Sequence, residues 1–174
     1  MQLTVTALGN KSIHFLSEIL AAVSSCKCSV QEIRSSNLAQ TTASYLLIDG
    51  NWNHIAKLET LLDNIQKRLE IKIHTLRPDT TPKKIEAIPY SLETISIDRS
   101  NVIEDITCFL TERHIHIEEI NASSYQAPYI QTAIFSTKFI VLIPSEVRLL
   151  LLREEFLDFC DNQNIDAIIE PIKR

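Results

Sequence analysis

The chain has 174 residues, 45% of them apolar and 22% charged, a balance that suits one large soluble domain or two small ones. It carries only two glycines, Gly9 and Gly50, so neither a phosphate-cradling loop nor a dinucleotide-binding turn can be built from it. A net charge of -5 disfavours direct binding to nucleic acid, which takes Lys and Arg to displace counterions; with no signal-peptide pattern at Met1–Thr6 and no run of about 20 apolar residues to span a membrane, a cytoplasmic protein is expected.

Leu3, Val5 and Ala7 alternate with Thr4 and Thr6, which predicts a half-buried strand. Ile13, Leu16, Ile19, Leu20 and Val23 then follow helical spacing, with Ser12 as N-cap and Ser24-Ser25 at the end. Cys28 to Leu38 reads as a strand with a polar far end. A hairpin turning near Ala39-Gln40 leads into Tyr45-Leu46-Leu47-Ile48. Asn51 or Asn53 caps a helix whose stripe is Ile55, Leu58, Leu61, Leu62, Ile65 and Leu69. Glu70 to His74 alternates and closes a β-α-β-β-α-β unit.

Arg77 to Lys84 is polar and holds two prolines, as a linker would. The same order then recurs: a strand at Tyr90–Thr94, a helix through Val102, Ile106 and Leu110, and a strand at Ile115–Ile120. An apolar strand at Phe135–Ile143 stopped by Pro144, a helix at Val147–Cys160 and a strand at Ile165–Ile169 complete it. An offset of 87 residues places Leu16 on Ile103, Val23 on Leu110 and Ile33 on Ile120. Beyond the hairpin an offset of 94 places Leu58 on Leu152 and Ile71 on Ile165, so the second copy holds about seven extra residues near Ser124–Gln131. The expected fold class is α+β: two ferredoxin-like βαββαβ units, each a four-stranded antiparallel sheet with two helices on one face. The expected boundaries are 1–76, a linker at 77–87, and 88–174. The bare sheet face favours pairing with a second copy, so a homodimer is expected.

Catalytic constellations are missing. The four cysteines, Cys26, Cys28, Cys108 and Cys160, have no Cys-x-x-Cys spacing and read as reduced structural thiols. His114 and His116 would share one face of a strand, but no further ligand lies at metal spacing, so they read as surface histidines. Glu118-Glu119 point to opposite faces of a strand, and Glu154, Glu155, Asp158 and Asp161 read as a solvated helical face. The loose basic cluster Lys67, Arg68, Lys72, Arg77, Lys83 and Lys84 reads as a wet linker. No metal, no cofactor and no enzymatic activity are expected. The candidate binding positions are the turns between first strand and first helix: Asn10, Lys11 and Ser12 in the first unit, and Asp98, Arg99, Ser100 and Asn101 in the second. A helix start offers free N–H groups suited to a carboxylate.

The doublet resembles tandem ACT domains, small regulatory modules that often bind amino acids. Four stretches resemble the glycine cleavage system transcriptional repressor family: Thr4–Gly9, Val23-Ser24-Ser25-Cys26-Lys27-Cys28, Gly50–Glu59, and Leu152–Phe156 with Asp158–Asp161 and Asp166–Pro171. That resemblance implies a non-enzymatic regulator that opposes a LysR-type transcriptional activator by protein contact, in response to glycine. An amino-acid-sensing subunit of a metabolic enzyme is the alternative. ACT modules usually show Asp-Arg-Pro-Gly at the turn. The first copy reads Lys11-Ser12-Ile13-His14 there, and the second keeps Asp98-Arg99 before Ser100-Asn101. A side chain at the glycine position removes room at the helix start. Any amino-acid ligand is expected at Asp98–Asn101, its amine near Asp98.

Overall fold

The computed structural model describes residues 1–78, 87–97, 100–126 and 132–172. It divides into two compact units, Met1–Pro82 and Lys83–Arg174. The first holds β1 (Gln2–Asn10), α1 (Phe15–Ser25), β2 (Ser29–Leu38), β3 (Thr41–Asp49), α2 (Trp52–Leu69) and β4 (Lys72–Leu76). The second holds β5 (Ala87–Ile97), α3 (Val102–Glu112), β6 (His116–Gln126), β7 (Ala133–Pro144), α4 (Leu149–Asp161) and β8 (Asp166–Pro171). The sheets are antiparallel, in the orders β2-β3-β1-β4 and β6-β7-β5-β8. Most of the expected linker lies outside the described residues. At its near end Arg77 donates from Nε to Glu59 at 2.8 Å, and at its far end Ala87 already opens β5.

Each unit buries its own core between one sheet face and its helices. In the first, Leu3, Val5 and Ala7 from β1 and Leu46 and Ile48 from β3 meet Phe15, Ile19, Ile55, Leu58 and Leu62. In the second, Leu92, Phe139 and Val141 meet Ile106, Phe109, Leu152 and Phe156. The period of two in the strands and of 3.6 in the helices puts these side chains on facing surfaces. Even the irregularities repeat. A bulge between Val30 and Glu32 in β2 has its counterpart between Ile117 and Glu119 in β6, at the same 87-residue offset.

Three local readings need correction. Ser12 does not cap α1. The helix starts at Phe15 behind His14, whose side chain makes no cap bond, while Ser12 donates from N and Oγ to Asn10 Oδ1 at 3.0 and 2.8 Å. The short polar side chain of Asn10 has captured the serine within the turn. Glu70 is not in β4. It caps the C-terminus of α2 in the left-handed region (φ 54°), and the strand begins at Lys72. His114 also takes φ 56° in the turn before β6, so it shares no strand face with His116.

Asn51 caps α2 as read from sequence, accepting from the His54 backbone N–H at 2.8 Å. Asn51→Ala is expected to lower the first unit's stability by about 1 kcal/mol, and Asn51→Asp to leave it nearly unchanged. Urea midpoints of the two variants check this.

Among the described residues, each unit packs its own helices on one face of its sheet and none of them on the opposite face. In the second unit this face exposes Ile95, Ile97, Tyr125 and Ile168 around a Lys138–Glu93 ion pair at 2.6 Å. The Lys138 hydrogen bond holds the Glu93 carboxyl below its ordinary pKa. Among the described residues no helix is long and apolar enough to cross a membrane.

Candidate functional site

The two strand–helix turns are built differently. In the first unit Asn10 still pairs with Thr41 across the sheet, and the Lys11 N–H donates to the Gln40 carbonyl at 2.8 Å. With Asn10 and Ser12 bonded to each other, the turn is tied both to itself and to the β2–β3 hairpin. A cavity of about 310 Å³ lies beside it, lined by Lys11, His14, Ser35, Asn37 and Thr42 among others. Much of that polar lining is internally paired. Thr42 Oγ1 donates to Asn37 Oδ1 at 2.6 Å, and the Ser35 and Ser44 hydroxyls lie 2.6 Å apart.

In the second unit Asp98 and Arg99 lie outside the described residues. Ser100 and Asn101 are exposed at the start of α3. Asn101 has φ 76°, in the left-handed region. This is the position where ACT modules carry glycine, and asparagine is the side-chain-bearing residue that most readily takes that conformation. His14, at the equivalent place, sits at φ -79°. The second turn therefore takes a left-handed course at this position, and the first does not. A cavity of about 440 Å³ opens at this helix start, lined by Asn101, Val102, Glu104, Thr107, Cys108 and Phe135 among others. It offers backbone N–H groups for a carboxylate and the Glu104 carboxylate for an amine, which together suit a zwitterion.

Ser96, two residues before the turn, is 5% exposed, and its hydroxyl has no partner among the described residues. Nearby, Thr94 and Thr137 solve the same problem by sharing a hydrogen bond at 2.6 Å. The 87-residue offset puts Ser96 where the first unit has Gly9, and Val102 where it has Phe15. A Cβ at Gly9 would stand 2.7 Å from Ile71 Cγ2 and 3.0 Å from the Phe15 ring. The first unit thus fills with an aromatic ring the space that the second gives to a hydroxyl. Sequence reading overlooked Ser96, although the mismatch of Gly9 with Ser96 in the repeat was its signal. Ser96→Ala is expected to raise the second unit's stability by about 1 kcal/mol, because it removes an unsatisfied buried group. Thermal denaturation checks the sign.

The remaining candidates make ordinary contacts. His116 Nε2 lies 3.4 Å from Glu118 Oε1, and no group of three possible metal ligands occurs among the described residues. Arg68 pairs with Glu18 and Arg77 with Glu59, so two members of the basic cluster are engaged. All four cysteines are free thiols. Burial pushes the Cys160 thiol up to about 12 and raises Cys28, so neither is a ready nucleophile, while Cys108 is exposed. Glu155 departs from the solvated-face reading. Its Oε2 accepts from Arg113 Nε at 2.9 Å, and the Arg113 guanidinium lies 3.7 Å from the centre of the Phe109 ring.

Residues 1–75 match the family model for the ACT domain. The first unit is an ACT domain. The second repeats its fold, so the ACT fold occurs here twice in tandem. Over 170 residues the chain is 22% identical to the glycine cleavage system transcriptional repressor of Escherichia coli K12, covering 98% of this chain and 90% of that one. The repressor of Shigella flexneri matches equally. A crystal structure assigned as a glycine cleavage system transcriptional repressor superposes with a TM-score of 0.76 at 20% identity, covering 99% of this chain and 98% of the other. An unknown protein from Galdieria sulphuraria superposes at 0.78 with 16% identity over the same shares. The two-unit fold is therefore shared with these structures over nearly the whole chain, and the similarity to named repressors supports a regulatory role.

Proposed function

We propose that this chain is a non-enzymatic cytoplasmic regulator that lowers transcription of glycine cleavage genes by contacting a LysR-type activator, with glycine or another amino acid as its input. The near-full-length similarity to the Escherichia coli repressor, on a chain that carries the ACT fold twice, is the observation that supports this reading. The net charge of -5 agrees with action through a protein rather than through the DNA backbone. In this reading 77–87 links two ACT modules at 1–76 and 88–174, and two copies associate as a homodimer.

The input site is the second turn. The ligand carboxylate meets the N–H groups at the start of α3, and its amine meets Glu104; Asp98, the amine partner expected from sequence, and Arg99 lie outside the described residues. Ser100 and Asn101 form the rim. The first turn is the poorer site: Asn10 and Ser12 are spent on each other, which leaves Lys11 as its one cation.

Affinity isolation of the full chain from its native cell, followed by calorimetry with glycine, tests both parts. Recovery of a LysR-type activator and a saturable glycine isotherm are expected. Recovery of a metabolic enzyme in its place transfers the protein to the enzyme-subunit alternative. Flat titrations at millimolar amino acid remove the ligand from the account.

A further inference from the structure

The helix layers of the two units differ in a way the repeat makes measurable. In the first, Ala22 of α1 belongs to the same apolar cluster as Leu61 and Ile65 of α2, and Arg68 reaches Glu18 across the two helices. The offsets put Phe109 in place of Ala22, Phe159 in place of Ile65, Glu155 in place of Leu61 and Asn162 in place of Arg68. Bulk has replaced alanine, and charge has replaced leucine. Where the first unit is apolar and clasped, the second has a groove of about 490 Å³ between α3 and α4.

The groove is aromatic below and acidic at the sides. The Phe109 and Phe159 rings lie 4.9 Å apart, and Asp105, Glu112, Glu155 and Asp158 line the space with them. It already holds one guanidinium. Arg113 lies over the Phe109 ring, donates to Glu155, and donates from an Nη to the Phe109 carbonyl at 3.1 Å. The molecule itself thus displays the chemistry this groove accommodates, a cation between an aromatic face and a carboxylate. A second cavity of about 400 Å³ shares Arg113 and Glu155 and continues along α4 to Val147 and Leu151. Leu151 is 49% exposed there. From Leu151 to Asn162 the seam runs roughly 16 Å at the helical rise, or three turns.

We propose that this seam docks a basic amphipathic helix of a partner protein. Its apolar side chains lie on Val147 and Leu151, and its Lys or Arg residues lie on Phe159 beside Asp158 and Asp105. The inference rests on the protein-contact reading and names the surface that makes the contact. Across the two cavities five carboxylates, Asp105, Glu112, Glu146, Glu155 and Asp158, stand against two guanidinia, Arg113 and Arg148, an acidic balance that turns away nucleic acid and acidic peptides. A second copy of this chain offers no matching helix. α1 and α3 contain no Lys or Arg and α4 contains only Arg153; α2 carries Lys57, Lys67 and Arg68, but its apolar stripe, Ile55, Leu58, Leu62 and Ile65, is buried in its own core and is not available to lie on Val147 and Leu151.

Selection of randomised three- to four-turn helical peptides against the full chain, with nuclear magnetic resonance mapping of those enriched, is the test. Enriched peptides are expected to be basic at one end and apolar at the other, and to shift the resonances of Phe109, Cys108 and Phe159. Their binding should weaken about tenfold on going from low to physiological salt. Asp158→Lys and Leu151→Glu, both at exposed positions, should each weaken it about tenfold or more, whereas Lys57→Glu in the first unit should not. Peptides without basic residues, shifts confined to the helix-free sheet face, indifference to Asp158→Lys, or no enrichment at all would overturn the proposal. The activator itself separates the two readings. If it binds the chain and both groove variants bind it unchanged, the groove is wrong and the protein-contact reading stands. If peptides map to the groove and no activator binds, the groove stands and that reading falls.

Discussion

Phe156→Ala is expected to cost the second unit about 3–5 kcal/mol. The Phe156 ring is fully buried, packs 5.5 Å from that of Phe109, and belongs to the cluster that joins α4 to Leu92, Phe139 and Val141. Removing it takes away the transfer energy of a whole ring and leaves a cavity that Phe139 and Ile106, themselves fully buried, have little freedom to fill. Because the first unit's core contains none of these residues, the loss should be local. Urea unfolding followed by amide exchange checks both points. Exchange should quicken throughout β5–β8 and α3–α4 and stay unchanged in β1–β4. A loss below about 1 kcal/mol, or one spread evenly over both units, would contradict the two-core description.

Gly9→Ser is expected to destabilise the first unit by about 1–3 kcal/mol through overpacking. The new Cβ would meet Ile71 and the Phe15 ring, which are only 3% and 1% exposed and cannot swing away. The second unit carries the compatible pair, Ser96 with Val102. Phe15→Val alone should also destabilise, by leaving a hole. The double variant Gly9→Ser with Phe15→Val should be more stable than the sum of the two losses predicts, by about 0.5–3 kcal/mol of coupling. A double-mutant cycle by urea denaturation measures the coupling. Strict additivity would mean that the two positions do not exchange bulk as the repeat implies.

The fold could be read from the chain because its information is periodic. Alternation at Leu3, Val5 and Ala7 and the stripe from Ile55 to Leu69 each name one buried face, and the 87-residue offset brings apolar positions onto apolar positions. Where sequence reading failed, the decision lay with a single polar contact. The start of α1 moved because Ser12 gives its N–H and hydroxyl to Asn10, which holds it in the turn ahead of a helix that begins at Phe15. His114 left its strand because the chain needs a left-handed residue to leave α3. The candidate site was legible only in outline. Its position follows from the order of elements, but the left-handed course at Asn101 and the orphaned Ser96 hydroxyl depend on packing between segments far apart in the chain. The Arg113–Glu155 pair was beyond sequence reading for the same reason: 42 residues separate its members, and only the approach of α4 to α3 joins them.

The central claim, regulation through a protein rather than through DNA, is tested most directly by a mobility-shift titration at physiological salt. Promoter DNA of the glycine cleavage genes is mixed with the full chain alone, with the LysR-type activator alone, and with both. The account predicts no shift by the chain alone and a changed activator–DNA complex when both are present. A shift of the promoter by the chain alone, or an activator complex that is the same with and without the chain, would contradict it.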